Sequence, residues 1–283
     1  KEGMRLERMF TAAPQCVPSR SALLTGRSPV ANRMGRFGSP LPEEVASLPE
    51  LLRAKGYYTG VAGRYFHLDG QVNPSELTQA IYDRHGLKNW AKRVDSLHIG
   101  AQREQFVPVL EKFLSAAQGK PFFYWLNFSD PHHVWDRNAI AEPHDPQRLR
   151  VPAQLYDSPG MRADLGRYFD EISRMDADFG RVMDVLEARG LKENTLVIFL
   201  GDNGMAFPHG KGSLYDPGLN VPGLARWPGR VKSGATRNLL SGEDVTPTFL
   251  EAAGLATPKG MSGRSFLPLL RGEARYQKRE HIF

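Results

Sequence analysis

Short apolar segments rich in β-branched and aromatic residues alternate with helical patterns along the chain, and this alternation constrains the fold most strongly. Residues 57–62, 121–128 and 195–200 have the length and composition of strands. Strands separated by helical segments are typical of parallel sheets whose connecting helices cover both faces. The pattern therefore predicts an α/β fold, an α/β/α sandwich with a largely parallel central sheet, and we expect one domain over residues 1–283.

The helices can be placed from their apolar spacing and their end signals. A first helix is expected to begin after Ser47, which acts as its cap, and to end near Gly56. A long helix is expected over residues 162–189, and a later one from a Thr246 cap to Gly254. Another helix carries an apolar stripe formed by Phe106, Leu110, Phe113 and Leu114. The polar stretches 67–102 and 136–159 are expected to be insertions over the cleft.

The composition excludes several classes of protein. The net charge of +6 comes from 37 basic and 31 acidic residues that are interspersed, without the like-charge runs that mark a nucleic-acid-binding segment. We therefore expect no nucleic-acid partner, and a mildly basic cleft for anionic substrates. No apolar run reaches the roughly 18 residues of a membrane span. The single cysteine, Cys16, cannot form an internal disulfide and is available for chemistry.

Each predicted strand is followed by a cluster of polar residues. The clusters occupy residues 63–67, 129–133 and 201–204, and they contain arginine, histidine, aspartate and asparagine. In an open α/β sheet, ligands bind outside the carboxyl ends of the strands. We therefore expect the three clusters to converge on one site.

The segment around the cysteine is the strongest candidate for chemistry. It consists of Cys16-Val17-Pro18-Ser19-Arg20-Ser21-Ala22-Leu23-Leu24-Thr25-Gly26. The proline suits an early helical position and the glycine suits a helix end, so the cysteine is predicted to lie at the N-terminus of a short helix. Free amide hydrogens and the helix dipole favour an anion there. A nucleophile beside a sulfate or phosphate group fits this placement, whereas a lone cysteine is more often a buried structural residue.

This segment resembles the signature of the type I sulfatases of the alkaline phosphatase superfamily, in which C-x-P-S-R is followed by L-x-T-G. The resemblance extends over nearly the whole chain, and residues 203–208 with 214–218 are most similar to sulfamidase-type, heparan-related sulfatases and their bacterial relatives. It implies an alkaline phosphatase-like fold and a hydrolase that cleaves a sulfate ester or sulfamate of a sulfated sugar or glycosaminoglycan. It also implies that a formylglycine-generating or anaerobic sulfatase-maturating enzyme oxidises Cys16 to formylglycine.

The resemblance implies roles for individual residues. Arg20 matches the arginine that holds the formylglycine hydrate, and Lys211 matches the lysine that binds the substrate sulfate. His132 matches the histidine that contacts the leaving-group oxygen, with His133 as the alternative. Taken alone, a lysine in a glycine-rich loop or a histidine at a strand end is more often a solvated surface residue.

Further residues are predicted to contact the reacting groups or the substrate. His67 fits the family variant G-K-x-F-H and is predicted to be catalytic, but Arg64 stands where that variant has lysine. Arginine keeps the positive charge without the compact ammonium, which weakens the expected contact with sulfate. Together with His133 and His209, Arg64 is predicted to bind substrate.

Asp202 and Asn203 are predicted to be oxygen ligands of a divalent cation, which is calcium in most relatives, with magnesium as the alternative. An isolated Asp-Asn-Gly is otherwise more often a turn. The family completes this site with a pair of aspartates on its first strand, and the chain is expected to begin too late to contain them. It is also expected to lack a C-terminal subdomain, to bind metal weakly and to be inactive alone. Asp176 and Asp178 are expected on the solvated face of the long helix.

Two other functions stay open from the sequence. A phosphonate or phosphodiester hydrolase can share the same formylglycine fold, and a non-catalytic relative would keep the cleft to bind sulfated glycans. The expected partners are a sulfated small molecule or glycan and the maturation enzyme. The residues do not fix the compartment. The resemblance favours a bacterial periplasmic or secreted protein, or a lysosomal one in a eukaryote.

Overall fold

The computed structural model describes residues 2–37, 40–63 and 76–282, apart from the side chains of Leu77, Thr78 and Ile99. Its helices are α1 (Cys16–Thr25), α2 (Leu48–Arg53), α3 (Glu76–His85), α4 (Trp90–Arg93), α5 (Phe106–Ala117), α6 (Pro159–Ala188), α7 (Asp216–Leu219), α8 (Val245–Ala252) and α9 (Leu267–Arg271). Its strands are β1 (Met4–Leu6), β2 (Met9–Phe10), β3 (Tyr58–Gly63), β4 (Ser96–Ile99), β5 (Phe122–Asn127), β6 (Val197–Leu200), β7 (Asn220–Val221), β8 (Gly223–Arg226), β9 (Gly234–Thr236) and β10 (Leu240–Ser241). None of the helices in these ranges is both long and apolar enough to span a membrane.

Three strands form a fully parallel sheet in the order β4-β3-β5. The register between β3 and β5 runs from the Tyr58–Phe122 pair to the Gly63–Asn127 pair. Parallel strands need a crossover connection, and α5 lies in the one that joins β4 to β5, the two edges of this sheet. The predicted α/β fold is confirmed, and the first two predicted strands are the centre and one edge of this sheet.

The remaining strands form two mixed sheets, in the orders β6-β8-β1-β9 and β10-β2-β7. In these sheets β8 runs antiparallel to β1 and β6, and β7 runs antiparallel to β2, while β1 pairs in parallel with β9. Pro222 separates β7 from β8, since proline has no amide hydrogen to give to a strand partner. This half of the molecule is less parallel than predicted because the β1–β2 and β7–β8 segments lie side by side in opposite directions.

Helices pack on both faces of the parallel sheet. Phe122 and Tyr124 of β5 pack with α5 and α6, while Phe123 between them packs against Phe249 of α8, with ring centroids 5.7 Å apart. This alternation is that of a strand buried between two helical layers. Within the described part of the chain, the outer edges of β5 and β6 have no strand partner, and both strands line the same cavity.

The helix ends follow the sequence signals with one exception. Ser47 is the N-cap of α2 as predicted, and its amide and hydroxyl both donate to Glu50 Oε2, at 2.9 and 2.8 Å. Thr246 does not cap α8, because the helix already begins at Val245, directly after a 3₁₀ turn over residues 242–244. The hydroxyl of Thr246 instead donates to a backbone carbonyl of α1 at 2.7 Å. A side-chain bond to a neighbouring helix has replaced the expected cap.

The segment 67–102 is more than an insertion over the cleft. Its described part contains β4, an edge strand of the parallel sheet, and α4, whose Trp90 is fully buried. The strand was not predicted because it has four residues, two of which, Ser96 and His98, are polar. The parallel sheet therefore extends one strand beyond β3.

The two aspartates of α6 differ in their surroundings. Asp176 is exposed as predicted, but the expectation that Asp178 is solvated is wrong. The Asp178 side chain is 3% exposed, and its Oδ2 accepts a bond from Arg103 Nε at 2.9 Å. Residues two apart on a helix point in very different directions, and the side bearing Asp178 meets the start of α5. The pair joins the turn that precedes α5 to α6.

Candidate active site

Cys16 is the first residue of α1 and is 3% exposed. The helix ends at Gly26, which adopts the left-handed conformation. Because the helix begins at Cys16, the predicted placement of the cysteine at a helix N-terminus is confirmed. The N-cap, Gln15, makes no side-chain cap bond. Backbone amides at a helix N-terminus lack intrahelical partners and carry the positive end of the helix dipole. The cysteine therefore lies where an anion is stabilised.

Two polar side chains contact the sulfur. Lys211 Nζ donates to Cys16 Sγ at 3.1 Å, and the Cys16 thiol donates to Asn203 Oδ1 at 3.4 Å. Lys211 and Asn203 are 195 and 187 positions away from the cysteine in sequence. Both belong to the loop that follows β6. The fold thus brings together three residues that the sequence analysis had selected separately.

The loop that carries Lys211 is fixed by backbone contacts. The amide of Gly212 donates to the Pro14 carbonyl, and the amide of Lys211 donates to the Met205 carbonyl, both at 2.8 Å. At the start of this loop, a Cβ added at Gly204 would lie 1.8 Å from a carbonyl oxygen, so only glycine fits there. The loop is therefore held directly against the entry to α1.

Arg20 lies one helical turn after Cys16 and joins three elements. Its Nε donates to Asp202 Oδ2 at 2.8 Å, and its Nη1 donates to Asn127 Oδ1 at 2.5 Å. The guanidinium also lies over the ring of Trp125, 5.9 Å from the centroid. Because Arg20 is only 8% exposed, its charge is fixed in place between α1, β5 and the loop after β6.

Asn127 is a site residue that the sequence analysis missed. It is the last residue of β5 and 5% exposed, and its Nδ2 donates to the Ala62 carbonyl at 3.2 Å. The neighbouring Gly63 has a φ of +79°, and an added Cβ would lie 2.0 Å from the Asn127 carbonyl oxygen. The signal available in the sequence was an amide at the end of an apolar strand, but nothing in the sequence indicated that its partner is Arg20.

His132 and His133 follow β5 and are both exposed. His132 Nδ1 lies 2.5 Å from the His133 carbonyl oxygen, and the His133 ring packs edge-on against Trp135 with centroids 4.9 Å apart. A carbonyl oxygen can only accept, so Nδ1 of His132 carries the hydrogen. Nε2 is then the nitrogen of His132 that can exchange a proton.

The other predicted substrate-binding residues are placed differently. His209 is exposed with a φ of +61°, and its ring packs edge-on against Tyr215 with centroids 5.3 Å apart. Among the residues that the structure describes, His209 is not part of the lining of the cavity that contains Cys16. Arg64 and His67 lie outside the described residues.

A cavity of about 1660 Å³ connects these groups. Its polar end is lined by Cys16, Arg20, Asn127, His132, His133, Asp202, Asn203 and Lys211. The remainder lies between β5, β6 and the helices and is mostly apolar, with Tyr124 as one exception. Burial raises the pKa of the Tyr124 phenol, whose oxygen has no hydrogen-bond partner in the described ranges. The predicted convergence of the second and third polar clusters is observed, whereas the first lies beyond the described residues after Gly63.

The described residues supply only part of a site for a divalent cation. Asp202 and Asn203 offer carboxylate and amide oxygens, which suit a hard cation, but Asp202 already accepts from Arg20 and Asn203 from the Cys16 thiol. Calcium takes six to eight oxygen ligands. In residues 2–37, 40–63 and 76–282, no group of three or more His, Cys, Asp or Glu residues is arranged to hold a metal. The donor set does not amount to a complete site.

Comparisons with known proteins agree with this geometry. Human N-sulphoglucosamine sulphohydrolase is 30% identical over 93% of this chain and 58% of its own length. Human arylsulfatase A is 29% identical over 99% of this chain and 63% of its own length. The crystal structure of a phosphonate monoester hydrolase from Agrobacterium radiobacter has a TM-score of 0.79 at 18% identity, covering 99% of this chain and 72% of that one.

These likenesses carry different weight. The structural one shows only that the fold is shared, because the identity is low. The chain spans about three-fifths of the length of the two human relatives. The family model described as Sulfatase matches residues 1–255, which is most of the 283 residues. This chain therefore belongs to the sulfatase family.

Proposed function

We propose that this protein hydrolyses a sulfate ester or sulfamate of a sulfated sugar, with Cys16 converted to formylglycine. The observation that carries the proposal is the pair of contacts at Cys16 Sγ, 3.1 Å from Lys211 Nζ and 3.4 Å from Asn203 Oδ1. An ammonium, an amide and a helix N-terminus together form a place for an anion. A purely structural cysteine is more often surrounded by apolar side chains.

The surroundings of Cys16 suit the formylglycine that family membership implies. Formylglycine supplies, as its hydrate, the oxygen nucleophile that attacks sulfur. Lys211 and Asn203 are within reach of hydroxyl groups at this position, as donor and acceptor respectively. Arg20, one turn further along α1, adds a second fixed positive charge beside them.

Charge stabilisation is the main contribution of the protein side chains. As the sulfuryl group is transferred, negative charge on its oxygens is stabilised by Lys211 and by the N-terminal amides of α1. These groups are held before substrate arrives, because backbone bonds fix the Lys211 loop, while an ion pair with Asp202 and a hydrogen bond to Asn127 fix Arg20. Little reorganisation is then needed during the reaction.

The leaving group needs a proton when its bond to sulfur breaks. We assign this step to His132, whose Nδ1 is occupied by the His133 carbonyl so that Nε2 delivers the proton to the departing oxygen or nitrogen. His133 lines the same cavity and is the alternative donor. Asp202 and Asn203 are proposed as two of the ligands of a divalent metal, calcium or magnesium.

The choice of a sulfated sugar is supported by the relatives. Human N-sulphoglucosamine sulphohydrolase is similar over 93% of this chain. A solved structure of similar fold, with a TM-score of 0.72, is described in complex with its substrate D-glucosamine-2-N,6-O-disulfate. Both names point to sulfated glucosamine, and an anionic sugar would suit a cavity end that contains Arg20 and Lys211.

The test is the chemical state of Cys16 and its link to turnover. In protein co-expressed with a formylglycine-generating enzyme, mass spectrometry of the tryptic peptide 9–20 should show an aldehyde in place of the thiol. Cys16→Ala should then abolish sulfate release with little change in thermal stability. Free thiol alone under co-expression, with glycan binding and no turnover, would make the protein a sulfated-glycan-binding relative. Faster turnover of a matched phosphonate ester than of the sulfate would assign it to phosphonate hydrolysis.

A further inference from the structure

Arg174 on α6 is surrounded by carboxylates from the loop 130–136 and from its own helix. Its Nε and Nη2 donate to the two oxygens of Asp130, at 2.7 and 3.1 Å, and its Nη1 donates to Asp136 Oδ2 at 2.9 Å. Nη2 also lies 3.6 Å from Glu171 Oε1. Since the Arg174, Asp130 and Glu171 side chains are mostly buried, their ion pairs are largely shielded from water, whereas Asp136 is half-exposed.

The two aspartates bracket the candidate proton donors in sequence. Asp130 comes two residues before His132, and Asp136 comes three residues after His133. Both histidines are exposed and line the cavity that contains Cys16. Because the Arg174 guanidinium binds Asp130 before the two histidines and Asp136 after them, its position determines where the segment between the aspartates lies.

The end of this loop has two additional attachments. The amide of Asp136 donates to Glu171 Oε1 at 2.7 Å. The ring of Trp135 stacks on Phe207, with centroids 4.6 Å apart and planes at 14°. Phe207 belongs to the loop that leads to Lys211, so the two loops that face each other across the site are in contact. A displaced histidine loop would disturb this stacking as well.

The charges around Arg174 explain why the loop depends on it. One guanidinium faces the carboxylates of Asp130, Asp136 and Glu171. Burial and the negative charges of both aspartates raise the pKa of the Glu171 carboxyl, against the hydrogen bond from the Asp136 amide and the charge of Arg174. Without the guanidinium, these carboxylates would repel one another and draw water into the cluster. Lysine would keep the charge but not the planar fork that contacts both oxygens of Asp130.

We propose that Arg174 is a positioning residue for the reaction: by holding Asp130 and Asp136, it sets where His132 and His133 lie in the cavity. The proposal rests on the proposed function only for the chemistry that the histidines perform. The placement of the loop is a property of the fold and can be measured without turnover.

The experiment compares Arg174→Met and Arg174→Lys with Arg167→Met, which removes an exposed ion pair to Asp164 on the same helix. Histidine-selective NMR of the full chain reports the ring resonances, with His132 and His133 assigned by substitution to glutamine. Arg174→Met should move the resonances of both, Arg174→Lys should restore them in part, and Arg167→Met should leave them unchanged. His98, on β4, serves as the internal reference.

Kinetics of the matured enzyme provide the second readout. Arg174→Met should lower kcat for an unactivated sugar sulfate by about tenfold or more, since general acid catalysis contributes about 10²–10⁴. An activated aryl sulfate, which needs no proton on its leaving group, should lose less than about threefold. Arg174→Lys should recover part of the kcat for the sugar sulfate, with KM nearly unchanged throughout.

Unmoved His132 and His133 resonances in a folded Arg174→Met protein would overturn the proposal. Equal losses of kcat for the two substrates would overturn it too, because they would indicate a general structural effect. If Arg174→Met does not fold, Asp136→Asn removes one of the two attachments at a half-exposed position, and the same measurements decide. If no form of the enzyme releases sulfate, the proposed function fails, while the NMR result still decides the placement.

Discussion

The two sides of the candidate site are held in place in different ways. Cys16 is the buried first residue of α1. Its partner Lys211 belongs to a loop that a backbone hydrogen bond from Gly212 ties to Pro14, just before α1. His132 and His133 are exposed on a loop whose flanking aspartates form ion pairs with Arg174. One side is fixed by backbone geometry and core packing, and the other by charged side chains on α6.

This difference predicts two kinds of functional defect. Substitutions next to Cys16 remove charge that every substrate needs, so their effect should not depend on the leaving group. Substitutions at the histidine loop change only proton delivery, so their effect should grow as the leaving group becomes poorer. Substitutions of buried charges on α6 that do not contact this loop, such as Asp178, should act on stability.

The largest effect is expected for Lys211→Ala. It removes the ammonium 3.1 Å from Cys16 Sγ, and kcat/KM for the matured enzyme should fall by about 100-fold or more with activated and unactivated sulfates alike. Lys112→Ala, at an exposed position on α5, is the control and should change neither activity nor stability. A loss confined to poor leaving groups would contradict the distinction between the two sides.

His132→Ala should have a smaller and selective effect. Turnover of an unactivated sugar sulfate should fall by about 100-fold, while an activated aryl sulfate should change by less than about threefold. The measurement is kcat for a series of substrates with leaving groups of increasing pKa. If both substrates slow equally, His132 is not the acid. His133→Ala then becomes the test of the alternative donor.

The nucleophile side could be predicted from the sequence because its signals are local. Pro18 and Gly26 mark the two ends of α1, and they place Cys16 at its N-terminus without any knowledge of distant residues. The three predicted strands, β3, β5 and β6, were found for the same reason, since each is a short apolar run with a polar cluster after it. The family resemblance then added Arg20 and Lys211.

The resemblance also placed His132 and His133 in the site, but the contacts that hold their loop to α6 could not be predicted, because they join residues far apart in sequence. Arg174 and Asp130 are 44 positions apart, and Arg103 and Asp178 are 75 apart. A charged residue on a long helix gives no local sign of such a partner, so the solvated interpretation of Asp178 was the reasonable one and was wrong. The same limit applies to Asn127, whose partner Arg20 is 107 positions away.

Asp178→Ala tests whether the buried charges of α6 contribute to stability. It removes the partner of Arg103 from a site that is 3% exposed, and the free energy of unfolding should fall by about 1–3 kcal/mol. Asp176→Ala, two residues earlier and exposed, should change it by less than about 0.5 kcal/mol. Urea unfolding of both variants is the measurement. Equal effects would show that Asp178 contributes no more than a solvated residue.

The smallest effect is expected for Glu171→Gln, and it depends on pH. Burial, together with the charges of Asp130 and Asp136, raises the pKa of the Glu171 carboxyl above its ordinary value of 4.5. The folded state therefore binds this proton more strongly than the unfolded state does, so the contribution of Glu171 to stability is present at low pH. It is lost as the pH rises through the folded-state pKa.

Glutamine keeps an acceptor for the Asp136 amide but cannot titrate. The stability of the parent minus that of Glu171→Gln, from urea unfolding at about pH 4 to 8, should thus decrease with pH. Glu171→Ala should give the same slope with lower stability at every pH, because it also removes the acceptor. A difference that rises with pH would mean that the ion pair with Arg174 outweighs the effect of burial at this position.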